Sequence, residues 1–301
     1  MSVPRANVTD VSETTAVQAT FEGMPTPSYA ASPSRLLAWL DCPRRYRMQY
    51  LDRPKPAARP QRAHTSVGLA IHNALRDWWD LPDRQRTPAG GAELVRSDWI
   101  DVGFRDPDQS VRWRARAQGQ VAAYLERVDP HDQPRGIERT VSMYTGPLRL
   151  QGRVDRLDDR AGELVIVDYK ASRRPPTDDD ARTSLPLALY AATVWKMFKR
   201  TCLRVELHHV PTGEVVGHTH TRESIARKVA EAQSIAIDAR AADADYALVG
   251  VESAAFPART SVLCQWCDFR AHCPEGQTIG PEKSGWAGLD EPDLPPNTDV
   301  E

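Results

Sequence analysis

The chain has 301 residues, with 39 Lys and Arg against 41 Asp and Glu and a net charge of −2. It is therefore neither a polycationic nucleic-acid tail nor an acidic solvating chain, and any nucleic-acid surface has to be local. No run approaches eighteen apolar residues, and the opening MSVPRANVTDVSETT has neither a basic nor an apolar signal region, so we expect a cytoplasmic protein without a membrane span or secretory signal.

In chain order, residues 1–29 are rich in Thr, Val, Ser and Pro without a hydrophobic period. Residues 278–301 run in Pro, Gly, Asp and Glu and end with Asp290, Glu291, Asp293, Asp299 and Glu301. Both read as disordered tails flanking one domain at 30–277, the acidic end being a solvated tail with DNA mimicry as the alternative. Ser32 or Ser34 caps a helix that carries Leu36, Leu37, Trp39 and Leu40 into Cys42, and Pro54, Pro56 and Pro60 force a loop after it. Val67, Ala70, Ile71, Ala74, Leu75 and Trp78 fall at helical spacing, and another helix is predicted from about 111 to 128.

From Thr140 the period becomes two. Strands at 148–157 and 164–172, joined by a turn over 158–162, make a hairpin, and an apolar helix follows at 185–198. A second hairpin at 203–210 and 215–221 turns around Pro211-Thr212-Gly213, before an amphipathic helix at 223–242. Helices flanking a small mixed sheet place the chain in the α/β (α+β) class. There is no repeat at solenoid periods and no Gly-rich phosphate loop.

Chemistry concentrates on the first hairpin. Asp168 and Lys170 are two residues apart, hence on one face of a strand. A turn centred between Ala161 and Gly162 sets Asp155 opposite Asp168. Facing carboxylates are destabilising unless a cation lies between them, and Mg²⁺ suits that place because it is held by one or two carboxylates and accepts phosphate oxygens. Lys170 can then orient or deprotonate a water and stabilise negative charge building on phosphorus. The alternative is an exposed hairpin with a solvated polar end.

Gly152-Arg153-Val154-Asp155-Arg156-Leu157-Asp158, then Val167-Asp168-Tyr169-Lys170 and Leu187-Ala188-Leu189-Tyr190-Ala191, resemble the RecB-like exonucleases of the PD-(D/E)xK nuclease superfamily. Ser32-Pro33-Ser34 through Cys42-Pro43 to Tyr50-Leu51, Gly68 through His72, and Cys264-Gln265-Trp266-Cys267 with Cys273-Pro274 match that family in order, over roughly 30–275. The resemblance implies a restriction-endonuclease-like core and a Mg²⁺- or Mn²⁺-dependent deoxyribonuclease, an exonuclease acting on DNA ends in repair or recombination. It assigns metal binding to Asp155, Asp168 and His72, catalysis to Lys170 and a place beside the scissile phosphate to Tyr190. Where the family has a glutamine four residues before that tyrosine, this chain has Pro186, which removes an amide donor. Ala171-Ser172 also replaces the family's usual Thr-Gly. Without the family pattern, His72 would read as a partly buried histidine; Glu138 is weighed as an acid that some relatives place near the metal. The competing readings are a catalytically silent DNA-binding or assembly module and a nuclease subunit working only with a separate helicase.

Cys264, Cys267 and Cys273, in C-x₂-C-x₅-C spacing, leave a tetrahedral site one ligand short, and Cys42 is the natural fourth. Three clustered cysteines plus a distant one, with prolines after Cys42 and Cys273, fit a [4Fe–4S] cluster better than zinc, which favours paired C-x-x-C ligands; zinc and unliganded thiols are the alternatives. The family resemblance points the same way, and the 222 residues between Cys42 and Cys264 make the expected cluster a structural staple. Cys202 reads as core. His208, His209, His218 and His220 read as exposed strand residues. Arg44, Arg45 and Arg47, with Tyr46 interleaved and Arg53, Lys55, Arg59 and Arg62 following, read as an electrostatic track for single-stranded DNA, extended by Arg112, Arg114, Arg116 and Trp113.

Overall fold

Residues 28–289 are described by the structure, a computed structural model of the chain. After the short strand β1 (Tyr29–Ala31), helices α1 (Pro33–Asp41), α2 (Pro43–Tyr50), α3 (Ala63–Asp80), α4 (Pro88–Ser97) and α5 (Pro107–Leu125) follow one another. The meander β2 (Gly136–Thr145), β3 (Leu148–Arg160) and β4 (Glu163–Lys170) comes next, then α6 (Asp178–Thr183), α7 (Leu185–Phe198), β5 (Arg204–His209), β6 (Glu214–Thr219) and α8 (Arg222–Val249). Short 3₁₀ turns and α9 (Pro274–Gln277) complete it. The six strands form one mixed sheet in the order β1-β3-β4-β5-β6, with β2 also on β3, the mixed α/β architecture expected. Among the described residues no helix is long and apolar enough to cross a membrane.

Strand β3 is the spine. Antiparallel β2 covers one edge from Leu148 to Leu157; the other edge is shared by parallel β1, at Leu148 to Leu150, and antiparallel β4, at Arg156 to Arg160. The β3–β4 ladder ends at Arg156↔Val167, so β4 carries Asp168, Tyr169 and Lys170 past it, paired there only with β5. The hairpin is tighter than expected. Only Ala161 and Gly162 form the turn, both at positive φ (49° and 93°), the primed geometry that matches strand twist.

Two apolar cores lie on the two sides of the sheet. Leu164 and Ile166 of β4 join Leu36, Trp39, Leu187, Leu189 and Ile235 from α1, α7 and α8. Val165, Val167 and Tyr169 join Ile71, Leu75, Trp78, Val121 and Tyr124 from α3 and α5. An apolar run on alternate sides explains how β4 is buried on both faces.

The elements differ from expectation in several places. Strands β1 and β2 and helices α2, α4 and α6 were not foreseen; α4 begins Pro-Ala-Gly-Gly without an apolar period, and it forms because Gly91 lets it approach α5, where a Cβ would lie 2.2 Å from Leu125 Cδ1. Helix α8 runs on to Val249. The segment 278–289, assigned to a tail by composition, is packed: Lys283 N–H donates to Gln265 O at 3.1 Å, Ala63 N–H to Gly285 O at 3.1 Å, and Leu289 rests on the second core. The rest of both expected tails, 1–27 and 290–301, lies outside the described residues.

Candidate active site

Helix α3 lays one stripe along a cleft of about 800 Å³: His64, Gly68, His72 and Arg76, each one turn apart. Opposite stand the diverging ends of β3 and β4. The divergence has a cause within the strands. In β3, Leu148, Leu150 and Val154 belong to the first core, and so does Leu157, three residues on rather than two or four; the side-chain alternation slips across Asp155 and Arg156. In β2, Glu138 sits at φ 44° and breaks the same row, as a bulge does when it re-aims a side chain beside a site.

Three carboxylates therefore end up in one register row across three strands: Glu138, Asp155 and Asp168. His72 Nδ1 lies 3.4 Å from Asp155 Oδ2, and ligand atoms of His72, Glu138 and Asp155 all lie within 4.8 Å of one another. The Tyr169 N–H, freed from the ladder, donates to Asp155 Oδ2 at 2.9 Å. The register is the one expected, but Asp155 and Asp168 do not form a ladder pair. Lys170 Nζ is 2.6 Å from Asp168 Oδ2 and Arg153 Nε is 2.6 Å from Glu138 Oε2; both oxygens are buried and lack a hydrogen bond of normal geometry.

Burial pushes Asp155 up to about 6, the charge of Asp168 adds to the rise, and His72 and the Tyr169 N–H oppose it. Three clustered carboxylates, two of them with a buried oxygen held only in an ion pair, and an imidazole nitrogen make a donor set suited to a hard divalent cation. Tyr190 of α7 stands behind this row against Gly152, where a Cβ would come within 2.5 Å of its Cε1. Burial first, then Asp168 and Asp155, raise its phenol, so it remains a proton donor. Pro186 occupies the first turn of α7, where its missing N–H costs nothing, and Ser184 caps the helix.

The four cysteines expected to act together do meet. Cys42 follows α1, Cys264 lies within a 3₁₀ turn and Cys267 just after it, Cys273 precedes α9, and all four line a cavity of about 50 Å³ with Arg44, Arg45 and Met48. Each sulfur faces a main-chain N–H: Arg259 to Cys42 (3.5 Å), Ser261 to Cys264 (3.4 Å), Gly276 to Cys273 (3.3 Å), and Phe269 to Cys267. These donors favour thiolates, but burial outweighs them at Cys267 and Cys273 and pushes both thiols up. The Arg270 guanidinium, buried, ties the loop together through the carbonyls of Cys264, Gln277 and Gly280. Cys202 is core, its thiol pushed up to about 12 by burial.

Two expectations are corrected. Tyr46 is fully buried, bonded to Asp243 and packed on Trp39 and Phe256, so it offers no face to a nucleotide. Arg44 binds Glu275 and Phe256 O, Arg47 binds Asp52 and Val251 O, and Arg45 reaches Asp41. None of these four lines the cleft, whose cationic rim is made by Arg62 and Arg116, both members of the expected track, together with Arg76, Arg153 and Arg173. The histidines of the second hairpin are not exposed either. His208 and His209 are buried because β5 is an interior strand, and Tyr124, Glu206 and Thr212 engage them; His220, just past β6, is buried and bonded to Ser224, and His218 is half-buried. Trp266, also in the cleft, was not read as a cleft residue because nothing in its local sequence links the cysteine loop to α3.

The sequence profile of the PD-(D/E)XK nuclease superfamily matches residues 30–274. Among solved structures, a "Putative exonuclease" from Eubacterium rectale aligns with TM-score 0.48 and 13% identity, over 81% of this chain and 88% of its own. The protein SSO0001 aligns with TM-score 0.34 and 12% identity, over 84% and 89%. A comparison with curated protein sequences gives no match.

Proposed function

The chain belongs to the PD-(D/E)XK nuclease superfamily, and from that premise we propose that it is a RecB-like, Mg²⁺- or Mn²⁺-dependent exonuclease hydrolysing phosphodiester bonds at DNA ends in repair or recombination. One observation carries the reading: the row of Glu138, Asp155 and Asp168, closed by His72 and followed by Lys170, opens on a cleft with an arginine rim. Asp155, Asp168 and His72 would hold the ion, with Glu138 beside them. When bound, the ion supplies Lewis acidity toward a phosphate oxygen and the attacking water. Lys170, kept at the end of β4 by Asp168, offers an ammonium to the charge that develops on the phosphate. The Tyr190 phenol offers a hydrogen bond from behind. Arg62, Arg116 and Arg153 hold the strand by its backbone.

The same reading makes the cysteine pocket a [4Fe–4S] site within a single nuclease domain. Three clustered cysteines with one distant support the cluster over zinc, which favours paired C-x-x-C ligands. Pro186 removes an amide but no candidate ligand, which favours an active enzyme over a silent module.

Digestion of end-labelled single- and double-stranded DNA with Mn²⁺ tests the enzyme, and its product ladder reports polarity and exo against endo action together. Cleavage that disappears in Asp168→Ala and Lys170→Ala is expected. Absence of cleavage by the wild type, or variants that cut as well as it does, overturns the reading.

A further inference from the structure

The cleft continues beyond the carboxylate row along α3, and its far end is aromatic. His64, two turns before His72, meets Trp266 edge to face with ring centroids 5.9 Å apart. Trp266 stands between Cys264 and Cys267 and lines the cleft. The Arg62 guanidinium lies over its ring at 5.8 Å, held by Asp268 at 2.8 Å and by the Trp266 carbonyl oxygen. From α5, Trp113 lines the same cleft with Arg116 over its ring at 4.8 Å. Between the two ends the floor is bare. Gly68 costs helix α3 about 1 kcal/mol relative to alanine, and no atom lies within 4 Å of where its Cβ would stand, so the absent side chain serves no packing contact and leaves the cleft open.

Arginines beside partly exposed tryptophans in a groove are the elements from which single-stranded DNA sites are made: cations follow the phosphates and rings stack on bases, whatever the sequence. From His72 to His64 is eight residues of helix, or about 12 Å, which is on the order of three or four stacked nucleotides at 3.4 Å each. We infer that Trp266, with Trp113, forms a nucleobase-stacking subsite for a single-stranded DNA end, three or four nucleotides from the carboxylate row. The subsite makes a single strand the substrate form that reaches the row, because a paired base offers no free face. This inference rests on the nuclease reading for its substrate.

Binding of fluorescent oligo-dT and of an abasic oligomer of equal length, measured with Ca²⁺ in place of Mn²⁺, tests it on the full chain. Trp266→Ala should weaken oligo-dT binding about 5- to 150-fold, the stacking of one base, and leave abasic binding and the salt slope unchanged, while Trp266→Phe restores most of the affinity. Trp113→Ala, on a helix remote from the cysteines, should discriminate in the same way and guards against damage to the cysteine loop. Unchanged oligo-dT binding in both alanine variants overturns the inference, as does equal loss on both oligomers. A wild type that binds oligo-dT over the abasic strand but cuts neither with Mn²⁺ would sink the nuclease reading and leave the subsite standing; one that cuts but binds both equally does the reverse.

Discussion

The cysteine pocket and the carboxylate cleft each gather four ionisable side chains from distant parts of the chain, and they treat the charge in opposite ways. In the pocket every sulfur faces a main-chain N–H within a cavity of about 50 Å³. In the cleft, of about 800 Å³, oxygens of Asp168 and Glu138 are buried without hydrogen bonds and Asp155 is pushed up to about 6. The pocket is small and gives each sulfur a main-chain donor; the cleft is large, and there Glu138 and Asp168 are held by ion pairs to Arg153 and Lys170 rather than by hydrogen bonds of normal geometry. On the proposed reading the first site is structural and the second reactive.

The largest expected effect tests that separation directly. Asp168→Ala and Lys170→Ala should each lower cleavage by about a thousandfold or more, with thermal unfolding nearly unchanged. A comparable loss of stability would mean that the cleft is structural too. Cys42→Ser or Cys267→Ser should act the other way, lowering stability and iron content together. The proposed ligands Cys42 and Cys264 are 222 residues apart, and closing so long a loop is worth up to about 5 kcal/mol by chain entropy. Anaerobic protein should be brown with four irons per chain, and Cys202→Ala should keep them. A colourless preparation with stoichiometric zinc would replace the cluster but not the staple.

The next effect is smaller and has a sign of its own. Burial raises the Asp155 carboxyl, so the folded protein binds its proton more tightly than the unfolded chain does, and metal-free protein should lose stability as pH rises from about 4 to about 6. Asp155→Asn should abolish cleavage yet stabilise the metal-free fold at pH 7 by up to about 3 kcal/mol, a gain that vanishes below pH 4. Urea unfolding at pH 4 and pH 7 with excess chelator gives the comparison, and a destabilised variant at pH 7 would show that the row is already compensated. The smallest effect concerns the DNA path: Arg116→Ala should reduce the salt slope of binding by about one counterion, and Arg45→Ala should leave it alone. The opposite pattern would return the track to the first helices.

Much of this site was legible in local pattern. The apolar run over Leu185–Phe198 gave that helix its observed bounds, and a turn at Ala161-Gly162 was enough to set the register that aligns Asp155 with Asp168. Histidines at 208 and 209 misled because alternation cannot tell an interior strand from an edge, and burial of β5 depends on β4 and β6 on either side of it. Tyr46 misled for a related reason. In sequence it sits among arginines; in space α8 supplies Asp243 and the chain beyond it Phe256, and these close over the ring. Trp266 needed the cysteines to be folded against α3 before its place in the cleft had any meaning.

The spine strand β3 also orders events in time. Its pairings with β2 and β4 close through tight turns and ask little loop entropy, whereas its three pairs with β1 join residues 119 apart, as Tyr29↔Leu148 does. Folding should therefore begin in the meander and admit β1 late, with the N-terminal helices and Cys42 arriving behind it. Substitutions in the Ala161-Gly162 turn should slow refolding, while those at Tyr29 should mainly speed unfolding. The carboxylate row, standing where that early meander splays, would then be assembled before the sulfur pocket can close.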